Sequence, residues 1–431
     1  MSLIADLHIH SPFSRATSKK SDLFGLAAWA HLKGIQLVGT GDFTHPGWMA
    51  HLQEHLEPAE PGLFRLKAGL VECPLTGRSL PSETRFLLSA EISSIYKKKG
   101  KTRKIHNLLF ASSFAEALAI NQKLGSIGNI KSDGRPILGL DARDLLEIQL
   151  EKAPEGFLVP AHIWTPWFSL FGSKSGFDAI EDCFEDLTPH VFALETGLSS
   201  DPEMNRRISA LDSYSLISNS DCHSPSKLGR EANLFSCELN FFSLRDALKN
   251  PQKGFEGTLE FYPDEGKYHL DGHRKCNERL IPADTARYDG LCPACGKPVT
   301  VGVLNRVMEL ADREQPIYQE QDHFESLIPL EEIVSELLGV GVASKKVQGL
   351  YRNLLKNFGT ELFILRELPP EELAPLSPLL SEALRRLRAG KVTRQGGYDG
   401  EYGRILLFSP EELQGESLAR KHLQLIGMKE I

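Results

Sequence analysis

The chain has 431 residues, more than one typical domain, and its 41% hydrophobic and 25% charged content is that of a globular protein. It contains no apolar run long enough for a transmembrane helix. The N-terminus MSLIADLHIH lacks the basic and apolar regions of a signal peptide, so a cytoplasmic protein without membrane association is expected. The odd count of seven cysteines argues against a disulfide framework, and the net charge of −8 leaves nucleic-acid contacts to local basic clusters.

Residues 1–260 repeat one unit in chain order. Short apolar, β-branched runs end in metal-ligating residue types: LIADLHIH, IQLVGTGD, RFLLSAEI, RKIHNLLF, GFLVPAHIW, HVFALETG and YSLISNSDCH. Between them lie helix-like segments at 22–34, 114–125 and 141–152. Buried strands alternating with amphipathic helices predict an α/β parallel sheet, closed as a barrel whose site lies at the C-terminal strand ends. The absence of GXGXXG counts against a dinucleotide-binding sheet.

His8-Ile9-His10 alternates at strand period, so both imidazoles project from one face. Asp221 and His223 repeat this spacing on the last such run, with Asn219 on the same face. Asp42, Glu91, His106 and His162 each stand at or near the end of an apolar run between these two pairs. Imidazoles with a shared carboxylate suit a multinuclear site of divalent cations (Zn²⁺, Mn²⁺ or Mg²⁺), with Glu91 as candidate bridge and Asp221, Glu91 and His223 as candidate catalytic residues. Paired cations can clamp the attacking and leaving oxygens of a phosphoryl displacement. No serine or cysteine nucleophile with an adjacent base stands out, so direct hydrolysis of a phosphate ester is expected.

DLHIHSPFS, GTGD, SAEIS, IHNLLF, PAHIW and SNSDCHSP resemble the successive motifs of the PHP (polymerase and histidinol phosphatase) superfamily. The resemblance implies a distorted (β/α)7 barrel. Carried over by motif, His8, His10, Glu91 and Asp221 would hold a first metal. Glu91, His106 and His162 would hold a second, and His223 would help hold a third. The sequence departs from the superfamily at that third site. Arg15 stands where an acid or histidine is common, and the second motif reads Asp42-Phe43 with His45 further on, so either Asp42 or His45 is a candidate ligand.

The pattern changes near residue 260. Over 261–303 the spacing His273-X2-Cys276-X15-Cys292-X2-Cys295 is that of a structural zinc ribbon, with His269 as an alternative fourth ligand. Residues 304–431 are mainly helical, so a helical C-terminal domain follows the ribbon. Its Leu338-Gly-Val-Gly-Val342 turn is like a helix-hairpin-helix, and 395–408 reads as a hairpin or short strand. Two stretches are rich in positive charge, Lys97–Lys104 and Arg385–Arg394; each is either a phosphate-contacting surface or a solvated one.

The order of barrel, ribbon and helical tail with GYDGEYG resembles the endonuclease Q family over essentially the whole chain. That resemblance implies a DNA endonuclease that nicks 5′ to deaminated bases (uracil, hypoxanthine, xanthine) or abasic sites, leaving a 3′-hydroxyl and a 5′-phosphate. Reading a base lesion requires extruding the nucleotide into a pocket. Asn219 and Ser199 are candidates for its edge, Trp164, Trp167, Phe168 and Phe171 for stacking or for capping the core, and Lys174 and Arg230 for flanking phosphates. DNA with a damaged base is the expected partner. A sliding clamp is a further candidate, although the terminal HLQLIGMKEI carries no recognisable clamp-binding peptide. The competing reading is a phosphatase acting on a small phosphate monoester, for which the ribbon and tail have no evident use.

Overall fold

A computed structural model of the chain describes residues 2–415. The terminal HLQLIGMKEI and the end of the helical region lie outside the described residues. The seven apolar runs all form strands: β1 (Leu3–Asp6), β2 (Leu37–Gly39), β3 (Arg85–Lys98), β4 (Lys101–Ala111), β5 (Phe157–Pro160), β6 (Ala193–Glu195) and β7 (Ser215–Ile217). Two further strands, β8 (Ala232–Phe235) and β9 (Phe255–Glu260), follow. The expected helices are present as α1 (Leu23–Lys33), α2 (Phe114–Ile127) and α3 (Ala142–Lys152). Each is started by a side chain that accepts a backbone N–H of the first turn, from Asp22, Ser113 and Asp141 respectively.

The sheet is mixed, not parallel. Its path runs β5-β4-β3-β2-β1-β8-β9 and ends on Phe324–Ser326. The β1/β2 and β2/β3 pairs are parallel, whereas β3/β4, β4/β5, β1/β8 and β8/β9 are antiparallel. The reason is local. Only Lys99 and Gly100 join β3 to β4, both with positive φ (50° and 74°), the backbone of a two-residue hairpin that reverses the chain. β6 and β7 pair with each other, in parallel, as a separate ribbon.

One hydrophobic cluster takes Ala5, Leu37, Leu87, Leu108, Val159, Ala193, Ile217 and Phe235, a residue from every strand from β1 to β8. The large sheet and the β6/β7 pair therefore wrap a common core, and the polar strand ends gather at one rim. Among the described residues no ladder joins β6 to β5 or β7 to β8.

The C-terminal helices dock on the outside of this body. Helix α4 (Leu330–Leu338) ends on Gly339 with φ 66°, and Ser344 caps α5 (Lys345–Phe358), so the Gly-Val-Gly segment is the turn of a helical hairpin. Lys33 at the end of α1 meets Glu361 at 2.6 Å with both side chains buried, and Glu361 also accepts from Tyr351 and Leu330. Arg206 grips Asp322 with two buried bonds of 2.6 and 2.7 Å. The stretch 393–406 is a hairpin, Thr393–Gln395 against Arg404–Leu406. Among the described residues no helix is long and apolar enough to cross a membrane.

Candidate metal centre

Two ligand groups sit side by side at the strand-end rim. His8, His10, Glu91 and Asp221 converge in one, and Glu91, His106 and His162 in the other, with the donor atoms of each group within 4.8 Å of one another. Glu91 belongs to both. Its Oε1 lies 2.6 Å from His106 and 3.1 Å from His162, and its Oε2 lies 3.2 Å from His10 and 3.6 Å from His8.

This donor set fits divalent cations on an observation independent of the motifs. The Nε2 atoms of His8 and His10 and Oδ1 of Asp221 are buried and make no hydrogen bond. Buried polar atoms are ordinarily satisfied, and three unsatisfied ones converging on one point are what a bound cation resolves. Burial opposes charge on Glu91, but His106, Arg135 and His10 together hold its carboxyl well below the usual range. Burial pushes His106 down to about 4, so its imidazole is neutral at pH 7 and able to ligate.

The groups behind the ligands define their orientation. His8 donates from Nδ1 to Glu195 at 3.0 and 3.1 Å, which turns its Nε2 toward the centre. Glu195 also accepts the backbone N–H of His162 and the amide of Asn219. Glu195 and Arg135, whose guanidinium lies 3.0 Å from Glu91, are site residues the sequence reading missed. Glu195 was legible as another buried acid closing an apolar run; Arg135 had no such signal.

Asp42 plays for His10 the part that Glu195 plays for His8. It faces Nδ1 at 3.1 Å and accepts from Ser11 and Ser14, and it joins neither ligand group. His45 points elsewhere: it caps the helix Pro46–His55 and stacks on Phe13. Arg15 is 89% exposed. His223 lies beside His10, with ring centroids 4.5 Å apart, but outside both groups, its Nδ1 bonded to the Asp221 carbonyl. Asp42, His162 and Asp221 all have positive φ (48°, 28° and 46°), backbone that side chains other than glycine rarely adopt.

A cavity of about 290 Å³ opens beside His162 and Asp221, with Ser199 and Tyr402 in its wall. Ser199 Oγ is buried there without a hydrogen-bond partner. Trp167, 45% exposed, stands near Tyr268 of the same wall.

Other expected contacts are corrected. Asn219 lies beneath the site, fully buried, its carbonyl oxygen accepting from Leu7 and Asn233 and its amide nitrogen donating to Glu195, so it is not presented to a base edge. Trp164 is 1% exposed, bonds Asn205, and belongs to the core together with Phe171. Arg230 is held by the Ser220 carbonyl, and Lys174 is an exposed side chain that does not line the cavity. The basic run at the β3/β4 turn is largely engaged within the protein. Lys98 meets Asp141 and Glu185, Lys99 meets Asp182, and Arg103 bonds the Gly176 carbonyl. Arg385 and Arg386 pair with Glu371, Glu382 and Glu412, and Arg388 donates to helix-end carbonyls.

His273, Cys276, Cys292 and Cys295 bring their donor atoms within 4.8 Å of one another, the compactness a tetrahedral ion requires. His269, the alternative, lies outside this group, buried near Asp264 and in the wall of the cavity. Among the described residues the apolar support of the cluster is Leu280, Cys292 and Val299.

Fold and ligand groups together define a mixed α/β protein with two candidate metal groups at one rim, a compact His/Cys cluster and a helical C-terminal region. Residues 329–391 match the family model described as the MJ0043 C-terminal domain. The chain is 30% identical to the Bacillus subtilis protein YqxK over 94% of this chain and 99% of that one. It is 36% identical to MJ0043 of Methanocaldococcus jannaschii over 259 residues, 58% of this chain but only 32% of that longer protein. Among solved structures it is similar to the lesion-specific endonuclease Q of Pyrococcus furiosus, with 33% identity, a TM-score of 0.82, and 96% of this chain matched to 97% of that one. It is equally similar (33%, TM-score 0.82, 96% and 98% covered) to an endonuclease Q complex with a 27-mer duplex carrying an abasic lesion at the active site. The chain belongs to the endonuclease Q family.

Proposed function

We propose that this protein is a metal-dependent DNA repair endonuclease that hydrolyses the phosphodiester 5′ to a deaminated base or an abasic site, leaving a 3′-hydroxyl and a 5′-phosphate. The observation that carries this reading is the placement of Ser199 Oγ, buried and unpartnered, in a cavity that also exposes His162 and Asp221 of the centre. A base turned into that cavity would be read within reach of the group that cuts beside it. The similar structure holding an abasic duplex at its active site supports DNA as the substrate class. The finer architecture this implies is a distorted (β/α)7 barrel (1–260), a zinc ribbon (261–303) and a helical domain (304–431).

His8, His10, Glu91 and Asp221 would hold one divalent ion, and Glu91, His106 and His162 a second. The chemistry such a centre supplies is Lewis-acid polarisation of the phosphoryl group and activation of water near neutral pH. The chain's own part is orientation. Glu195 and Asp42 fix the tautomers of His8 and His10, and Arg135 offsets part of the charge of Glu91. Burial lowers the pKa of His223, and its Nδ1–H is committed to the Asp221 carbonyl, so its Nε2 is unprotonated and available to take a proton from the attacking water, while solvent protonates the leaving oxygen. Ser199 meets the base edge, and Trp167 lies where a base or its neighbour can stack.

The test is direct. With Mn²⁺ or Mg²⁺, the purified protein is expected to nick a duplex bearing one uracil, hypoxanthine or abasic site and to leave the undamaged duplex whole. An intact lesion duplex alongside hydrolysis of a simple phosphate monoester would replace this reading with a small-molecule phosphatase.

A further inference from the structure

We propose that the cleft between the ribbon and the 393–406 hairpin is a second DNA site, which binds the phosphodiester backbone of the duplex that flanks the cut. This rests on the endonuclease reading and extends it to the surface that holds the substrate away from the metals. The cleft measures about 270 Å³ and is lined by Arg274, Arg279, Arg404, Tyr398, Tyr402 and Glu401, among others. Arg274 and Arg279 come from the ribbon, either side of Cys276; Arg404 comes from the facing hairpin, in register with Gln395.

Three features of the cleft point to a polyanion. The first is charge. Among the described residues Glu401 is the only acid in the lining, and it pairs with Arg274 at 3.4 Å. Arg279 lies 5.0 Å from the Tyr398 ring, and among the described residues neither it nor Arg404 has an acidic partner. Two guanidinium groups are thus left over, whereas the arginines of the conspicuous basic stretches are engaged, Arg103 and Arg388 by carbonyls and Arg385, Arg386 and Arg394 by carboxylates. Guanidinium matches phosphate oxygens in a planar, two-pronged fashion.

The second feature is rigidity. Asp399 accepts the backbone N–H of Arg274 at 2.7 Å and the Thr300 hydroxyl at 2.6 Å, and Tyr398 donates its hydroxyl to Asn277. Gly272 has no room for a side chain, because the Tyr398 ring packs against its Cα. The hairpin is therefore clasped onto the ribbon, and the cleft has a defined shape.

The third feature is continuity. Tyr402, 70% exposed, lines both this cleft and the cavity beside His162 and Asp221, and Lys267 sits 4.6 Å above its ring. A free nucleotide could occupy one compartment or the other. A chain of phosphates passing the Tyr402 ring can occupy both, which singles out a nucleic-acid strand as the occupant.

The experiment uses the full-length protein with its metals and a fluorescent undamaged duplex, so that binding is read without cleavage. Anisotropy titrations over a salt series compare the wild type with Arg279→Gln/Arg404→Gln, with Glu401→Gln, and with Lys97→Gln/Lys101→Gln, which removes equal charge from the exposed β3/β4 turn. The double arginine variant is expected to bind about tenfold or more weakly at low salt. Its slope of log K against log salt should be shallower by about 2, near 0.9 for each phosphate no longer neutralised. Glu401→Gln should bind more tightly, and the lysine variant should shift less than half as much as the arginine variant. A double arginine variant with unchanged melting temperature and the wild-type affinity and slope overturns the proposal. So does a lysine variant that weakens as much, because overall charge would then be the cause. Wild type that binds no duplex overturns both this site and the endonuclease reading. Wild type that binds but fails to nick the lesion duplex overturns the endonuclease reading alone.

Discussion

The metal centre and the ribbon cleft are built in opposite ways. In the centre, the ligands sit within or just beyond buried strands, Glu91 and His106 inside β3 and β4 and the others in the segments that follow β1, β5 and β7, and carboxylates packed behind the imidazoles fix their direction: Glu195 behind His8, Asp42 behind His10. The ribbon side of the cleft has little core, resting on Leu280, Cys292 and Val299 and on the four-residue candidate ion site, and its hairpin side is held by Ile405 in the main core and by the Asp399 and Tyr398 clasp. The centre would keep its geometry without an ion, because the sheet holds it. The ribbon has too little buried surface to do the same. The candidate centre is thus placed on the strands of the main core, and the cleft beside a small cluster that an ion at His273, Cys276, Cys292 and Cys295 would stabilise.

Four substitutions test that contrast. The largest effect is expected from Asp221→Asn. It removes charge and a donor atom from the centre, so nicking should fall by more than the roughly 10–100-fold typical of residues behind metal ligands, while duplex affinity by anisotropy stays near wild type. Equal loss of both would mean that the two regions are not separable. Next, Cys292→Ser should release the ribbon ion, which zinc analysis would detect, and weaken duplex binding. Amide exchange should rise over 271–300 and stay low over β3 and β4; fast exchange in both would erase the contrast in stiffness. Glu195→Gln keeps the shape but weakens the hold on His8, and should cost about 10–100-fold in metal affinity or rate. The smallest effect belongs to Lys99→Ala, in the most conspicuous basic run. Its exposed pair with Asp182 contributes at most about 1 kcal/mol, so stability and duplex affinity should barely change.

These regions also differ in how far they could be read before folding. Ligands at the ends of apolar runs were legible because strand period and burial place them on one rim, and the two ligand groups form from the residues expected. Asn219 misled because the partners that take up its amide, Leu7, Asn233 and Glu195, are remote in sequence or on other strands. Trp164 misled for the same reason, its indole being claimed by Asn205. The parallel sheet was an overextension of the alternating pattern: a two-residue turn at Lys99-Gly100 was enough to make β3 and β4 antiparallel. Basic runs drew attention by local density, although acids from elsewhere meet several of their members, Lys98, Lys99, Arg385 and Arg386 among them. The cleft arginines escaped notice because Arg279 and Arg404 meet only once the ribbon and hairpin are clasped.

The left-handed backbone at Asp42, His162 and Asp221 has a consequence for how such a protein changes over generations. At each of these positions glycine would relax the main chain, and asparagine would be more comfortable than histidine. Replacements there that stabilise the fold also remove a donor or the carboxylate that steers one. Drift toward greater stability therefore runs toward an inert centre, while the arginines of the cleft are untouched. A descendant that has lost the ability to cut but still grips nucleic acid lies downhill from this molecule, and only continued selection for cleavage keeps those three residues in place.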